Sequence, residues 1–142
     1  MKRRVILPLA LTLALIPLCV RAQQTVLRTS SRFGTNEYSC VVTQEGLEKV
    51  PKWPQTDEWP PLSPKKAIQA AKGVMRGLVE GVGVEDWSSE KITLRRAGSV
   101  GNWVYVIAMA SVFPPSVVVG QAQSIEVVVL LDGTAIKPKV IP

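Results

Sequence analysis

An α+β fold, with one amphipathic helix packed on a three- to four-stranded antiparallel sheet, is what this 142-residue sequence predicts. Three observations lead there. A single capped helical period begins at Ser63, the residues after it alternate as strands do between turn signals, and only one long helix is available to cover the resulting sheet.

In chain order, Met1 is followed by Lys2, Arg3 and Arg4, then an uncharged apolar run from Val5 to Val20, then Val20-Arg21-Ala22 with small residues at the −3 and −1 positions of a cut after Ala22. That three-part pattern reads residues 1–22 as a signal peptide. The apolar run carries Pro8 and Pro17 and falls short of the roughly twenty residues that span a bilayer, which argues against a retained anchor. Cys19 follows Ile16-Pro17-Leu18, but bulky Leu18 disfavours lipid attachment. The expected location is therefore exported, periplasmic or secreted, with no membrane contact after the leader leaves.

Cleavage also changes the charge balance. Lys2, Arg3, Arg4 and Arg21 go with the leader, so 17 basic residues become 13 against 11 acidic, a net of +2. Lys65-Lys66 and Arg95-Arg96 are isolated pairs and form no phosphate-tracking stripe, so nucleic acid is not an expected partner.

Residues 23–36 are polar and read as a flexible mature N-terminus, with at most a short strand near Thr25 to Arg28. Residues 37–61 comprise a strand from Glu37 to Thr43 and a connector. Pro51, Pro54, Pro60 and Pro61 rule out a helix or central strand between Gly46 and Leu62, and Trp53 and Trp59 are expected to pin the connector onto the domain.

The core domain occupies 62–142. Ser63 can cap a helix, Pro64 suits its first turn, and Leu62 with Ala67 can form a hydrophobic staple. Ala67, Ile68, Ala71, Val74, Met75, Leu78, Val79 and Val82 share one arc at helical spacing, with Gly73 and Gly77 nearly opposite and a stop at Gly81 or Gly83. Strands follow over Lys91 to Ala97, Trp103 to Val112 and Ser124 to Leu131, the last two apolar on both parities. Asp132-Gly133 signals a tight turn, and Thr134 to Val140 reads as one short edge strand containing Pro138.

No catalytic constellation emerges. The chain has no histidine, which removes the usual general base and the commonest metal ligand, and Cys40 is the one cysteine after the leader, so no internal disulfide forms. Its alternation with Tyr38 and Val42 points to a packed, inert thiol. Ser63-Pro64-Lys65-Lys66 fits the S-x-x-K pattern of serine acyl-enzymes, but the two companion motifs are missing and capping accounts for the serine. Asp57-Glu58 and Glu85-Asp86 lie side by side in loops where a hydrolase wants carboxylates converging across a cleft. Gly81-Val82-Gly83 follows a helix where a dinucleotide loop would open one. No cofactor and no metal are expected.

The most unusual stretch is Val112 to Gln123. Phe113, Pro114, Pro115, Val117, Val118 and Val119 make an apolar loop where polar residues are the rule, so it must be covered by the tryptophan connector, by continued strands, or by a partner. These six residues with Trp53 and Trp59 are the candidate partner-binding set.

The run Ser63-Pro-Lys-Lys-Ala-Ile-Gln-Ala-Ala-Lys72, followed by strands and then Ile125-Glu-Val-Val-Val-Leu-Leu-Asp-Gly133-Thr, resembles the PepSY family of exported domains over roughly residues 62–140. The resemblance implies a non-catalytic helix-on-sheet domain, some of whose members restrain secreted peptidases. The final turn is shorter here, and the apolar insert is additional. A fainter likeness of shape is to the cystatins, whose inhibitory Q-x-V-x-G hairpin Ser116-Val117-Val118-Val119-Gly120 matches only at its valine, Val118, and at Gly120. The expectation is an exported, non-enzymatic binding or regulatory module, with a structural or self-associating envelope component as the alternative.

Overall fold

The structure is a computed structural model that describes residues 23–54, 56–78, 83–99, 101–117 and 123–142. The leader at 1–22, Val79 and Val82 of the predicted helix face, and Val118 and Val119 of the apolar loop lie outside the described residues. In chain order the elements are β1 (Thr25–Phe33), β2 (Asn36–Thr43), α1 (Gln44–Glu48), α2 (Pro64–Met75), β3 (Asp86–Arg96), β4 (Trp103–Val112), β5 (Ser124–Leu130), β6 (Ala135–Ile136) and β7 (Lys139–Ile141). They form an α+β fold with two antiparallel sheets, β3-β4-β5-β6 and β1-β2-β7. The larger sheet is the predicted one, and the smaller was not foreseen.

The predicted cap starts α2. Ser63 Oγ accepts from the Lys66 N–H at 3.4 Å, Pro64 occupies the first turn, and Leu62 and Ala67 are both buried as a staple requires. Ala67, Ala71 and Met75 are wholly buried, while Ile68, Val74 and Leu78 pack at the margin. The helix lies across all four strands of the larger sheet, and Tyr105 of β4 donates its hydroxyl to the Leu62 carbonyl at 2.8 Å. α2 closes at Met75, with the Arg76 N–H on the Lys72 carbonyl, short of the predicted stop. Gly73 and Gly77 weaken the helical state over this stretch by about 1 kcal/mol each.

One face of β4 and β5 is buried and the other is partly shielded, with Ala108 and Glu126 half-buried on it, as their double-parity apolar sequence predicts. The register pairs Tyr105 with Val129, Ile107 with Val127 and Met109 with Ile125 on the face carrying the Tyr105 bond to α2. Val104 with Leu130 and Val106 with Val128 line the other. Since α2 covers one face only, closing the second falls to the β1–β2 hairpin and the segment after it. At one end Val26 lies against Gly98. β3 begins five residues before the predicted strand, and a bulge between Ser89 and Lys91 lets it run on to Trp87. The Trp87 ring is buried 5.5 Å from that of Phe33.

Residues 23–36, expected to be loose, instead form β1 and a tight turn at Gly34, whose φ is +61°. The strand was disguised because two of its inward positions are hydroxyl residues: Leu27, Thr29, Ser31 and Phe33 alternate toward the core. Ser31 and the Cys40 thiol tie this hairpin to the larger sheet. Ser31 Oγ accepts from the Glu126 N–H at 3.0 Å, and the Cys40 thiol donates toward the carbonyls of Glu126 and Ile136, each at 3.4 Å. β6 pairs with β5 only at Val128 and Val129, so side chains of the smaller sheet satisfy the edge that β6 leaves open.

Two further corrections concern the flanks of the prolines. α1 forms where no helix was expected, because Thr43 caps it through the Gly46 N–H at 3.2 Å and the prolines begin only at Pro51. Leu47 and Val50 anchor it in the core. The single last strand is in fact two. Gly133, at φ +92°, turns the chain as predicted, with its N–H on the Leu130 carbonyl, and β6 returns along β5. Lys137-Pro138 then carries the chain across to the other sheet, where β7 sets Lys139 opposite Ser39, Val140 opposite Tyr38 and Ile141 opposite Glu37. Pro138, lacking an N–H, sits buried at the break and not within an edge strand.

Candidate functional site

The predicted partner-binding residues divide sharply. Phe113 and Pro114 are half-buried, Phe113 against the core, while Pro115 and Val117 are exposed on a turn closed by the Val117 N–H on the Pro114 carbonyl at 2.9 Å. The loop thus covers itself at its base and exposes its described tip. Trp53 is pinned as expected: its N–H donates to the Gly101 carbonyl at 3.0 Å, its indole to the Asp57 carbonyl at 3.1 Å, and its ring meets Trp103 edge-on at 5.5 Å. The Arg96 guanidinium stands 5.4 Å over Trp103. Trp59 is not pinned. It is 75% exposed. No hydrogen bond or ring contact among the described residues joins either tryptophan to Phe113 or Val117, so the set does not assemble into one site.

The sequence reading missed the surface of the smaller sheet along β7. There Arg28, Ser39, Val41, Lys137 and Lys139, with Val140 and Ile141, line an open groove of about 320 Å³. β7 is an edge strand among the described residues, and Val140 is 52% exposed. The one ion pair among the described residues is Lys72 with Asp86 at 3.5 Å, so the three cations of the groove stand without carboxylate partners there. Ser39 is only 8% exposed, and its hydroxyl has no hydrogen-bond partner among the described residues. The signal was present as Lys137-Pro-Lys139, two cations at strand spacing, but reading Pro138 as part of one continuous strand hid the change of sheet that brings them beside Arg28. A smaller recess of about 170 Å³ on the larger sheet is lined by Lys91, Thr93, Arg95 and Glu126, charges of both signs.

The remaining reactive groups are occupied. Cys40 is buried, and burial pushes its thiol up. That environment suppresses the thiolate. Ser63 is engaged as a cap. Asp86 is held below its ordinary value first by the Trp87 backbone N–H, then by Lys72 and Arg76. Among the described residues no three His, Cys, Asp or Glu side chains group as metal ligands, and no helix is long and apolar enough to cross a membrane. Comparison of the chain with protein-family models, curated proteins and solved structures finds no match.

Proposed function

We propose that the chain is an exported, non-catalytic binding or regulatory module that engages another protein through the β7 edge and its groove. The carrying observation is the exposed Val140-Ile141 pair on an edge strand, beside three unpaired cations. Edge strands of this kind bind extended segments by adding a strand. Support for export comes from the basic, apolar and small-residue pattern of residues 1–22, and support for a non-catalytic role from the lack of histidine and the structural engagement of Ser63 and Cys40. On the PepSY resemblance, to which one helix laid across an antiparallel sheet adds support, the partner is a secreted or periplasmic protein such as a peptidase.

The test is affinity capture from an exported-protein fraction with wild type, Val140→Lys and Phe113→Ser in parallel. A partner retained by wild type and Phe113→Ser but lost by Val140→Lys is the expected outcome. Loss only with Phe113→Ser would move the site to the apolar loop, and indifference to both would reject the reading. Self-association through the same edge is the second reading, favoured by the exposure of β7. It brings two cationic grooves together, and a concentration series in light scattering separates it.

A further inference from the structure

Resting on the reading of β7 as a docking edge, we propose that its occupant is an extended acidic segment of a partner protein, whose carboxylates face Lys139 on the side of the sheet that also carries Lys137 and Arg28. Three cations reach this groove from three parts of the chain: β1, the link after β6, and β7. None forms an ion pair among the described residues, so the groove presents a net positive field, with Glu37, which accepts from the Ser30 hydroxyl, beyond Ser39 on the same face of β2. At its floor Ser39 is 92% buried, so the charge the groove offers an occupant is that of its three cations.

The edge dictates the shape of the occupant. A strand added beside β7 alternates its side chains, so that the residue opposite Lys139 falls on the face that Lys139 shares with Ser39, and its neighbour opposite Val140 falls on the other face. An acidic residue followed by an apolar one, repeated, matches that order: the acid meets the cations and the apolar side chain meets Val140. A second copy of this chain does not match, because its own β7 would bring Lys139 and Lys137 to a groove already cationic.

The probe is the blocked peptide acetyl-Val-Glu-Val-Glu-Val-amide against its glutamine counterpart, titrated calorimetrically and by backbone amide shifts at low salt. The expected result is binding about tenfold tighter for the glutamate peptide, with shifts at Ser39 and Lys139 to Ile141, weakening as salt rises. Lys139→Glu lowers that affinity about tenfold while Lys65→Glu, at the start of α2, leaves it unchanged. Circular dichroism of both variants confirms that the fold is kept. Equal binding of the two peptides overturns the proposal, as does displacement of the peptide by inorganic phosphate alone at matched concentration, which would make the groove a small-anion site. If neither peptide binds while Val140→Lys still abolishes partner capture, this inference falls and the docking edge stands. If capture is also indifferent to Val140→Lys, both fall.

Discussion

Replacing Ser31 by alanine tests how the two sheets are joined. The Ser31 hydroxyl is the acceptor for the Glu126 N–H at 3.0 Å, at a partly buried point on the edge of β5 that β6 leaves unpaired. A net hydrogen bond contributes about 1 kcal/mol, and a buried donor left unmade costs about 1–3 kcal/mol, so a partly buried site places Ser31→Ala near 1–2 kcal/mol. In a folded unit of this size that lowers the midpoint of thermal unfolding by roughly 3–8 °C. Cys40→Ala removes the donor to the carbonyl of the same residue, and because the two changes strip the two backbone groups of Glu126 the double variant should depart from additivity by about 0.5 kcal/mol or more. Urea unfolding measures the stabilities, and hydrogen exchange read at the Glu126 amide gives the local consequence, about tenfold faster exchange for 1.4 kcal/mol. Ser31→Ala within about 0.3 kcal/mol of wild type, with the Glu126 amide still protected, would refute the joint as described.

Gly73→Ala should stabilise the protein by about 0.5–1 kcal/mol in the same urea assay, since a Cβ there meets open space inside a helix; a loss would mean the glycine face contacts something. Asp86→Asn should flatten the acid limb of the stability curve. The folded carboxylate titrates below its ordinary value of 3.8, so its contribution is fully present above that value and is lost as pH falls through the depressed folded one. Denaturation midpoints from pH 6 down to 2 check it, and parallel acid limbs in the two proteins would contradict it.

What could be read from the sequence was whatever local chemistry alone decides. Ser63-Pro64 specified a helix start because capping needs only a hydroxyl three residues before a free N–H, and Asp132-Gly133 specified a turn because few residues accept a φ near +90°. β4 and β5 announced themselves by continuous branched and aromatic residues. The failures lie where a residue's role depends on a distant partner. Ser31 looks like a loop residue until β5 presents a bare edge to it, and Thr43 becomes a cap only because Leu47 and Val50 find the core. Pro138 looks like an edge-strand residue until the chain is seen to change sheets at it. The binding surface suffered most from this. The tryptophans and the Phe113 loop were conspicuous in one dimension, whereas Arg28 and Lys139 become neighbours of one groove only through the pairing of β2 with β7.

The pairing of Tyr38 with Val140 carries a kinetic implication. Closing a contact across about a hundred residues adds an entropic penalty that grows with the logarithm of the separation, and such distant contacts slow folding. A polypeptide emerging amino end first from a ribosome holds an unfinished three-stranded layer until residues 139–141 arrive. Until then the hairpin of β1 and β2 has one flank bare, so the layer begun by the first described strands is the last to be completed.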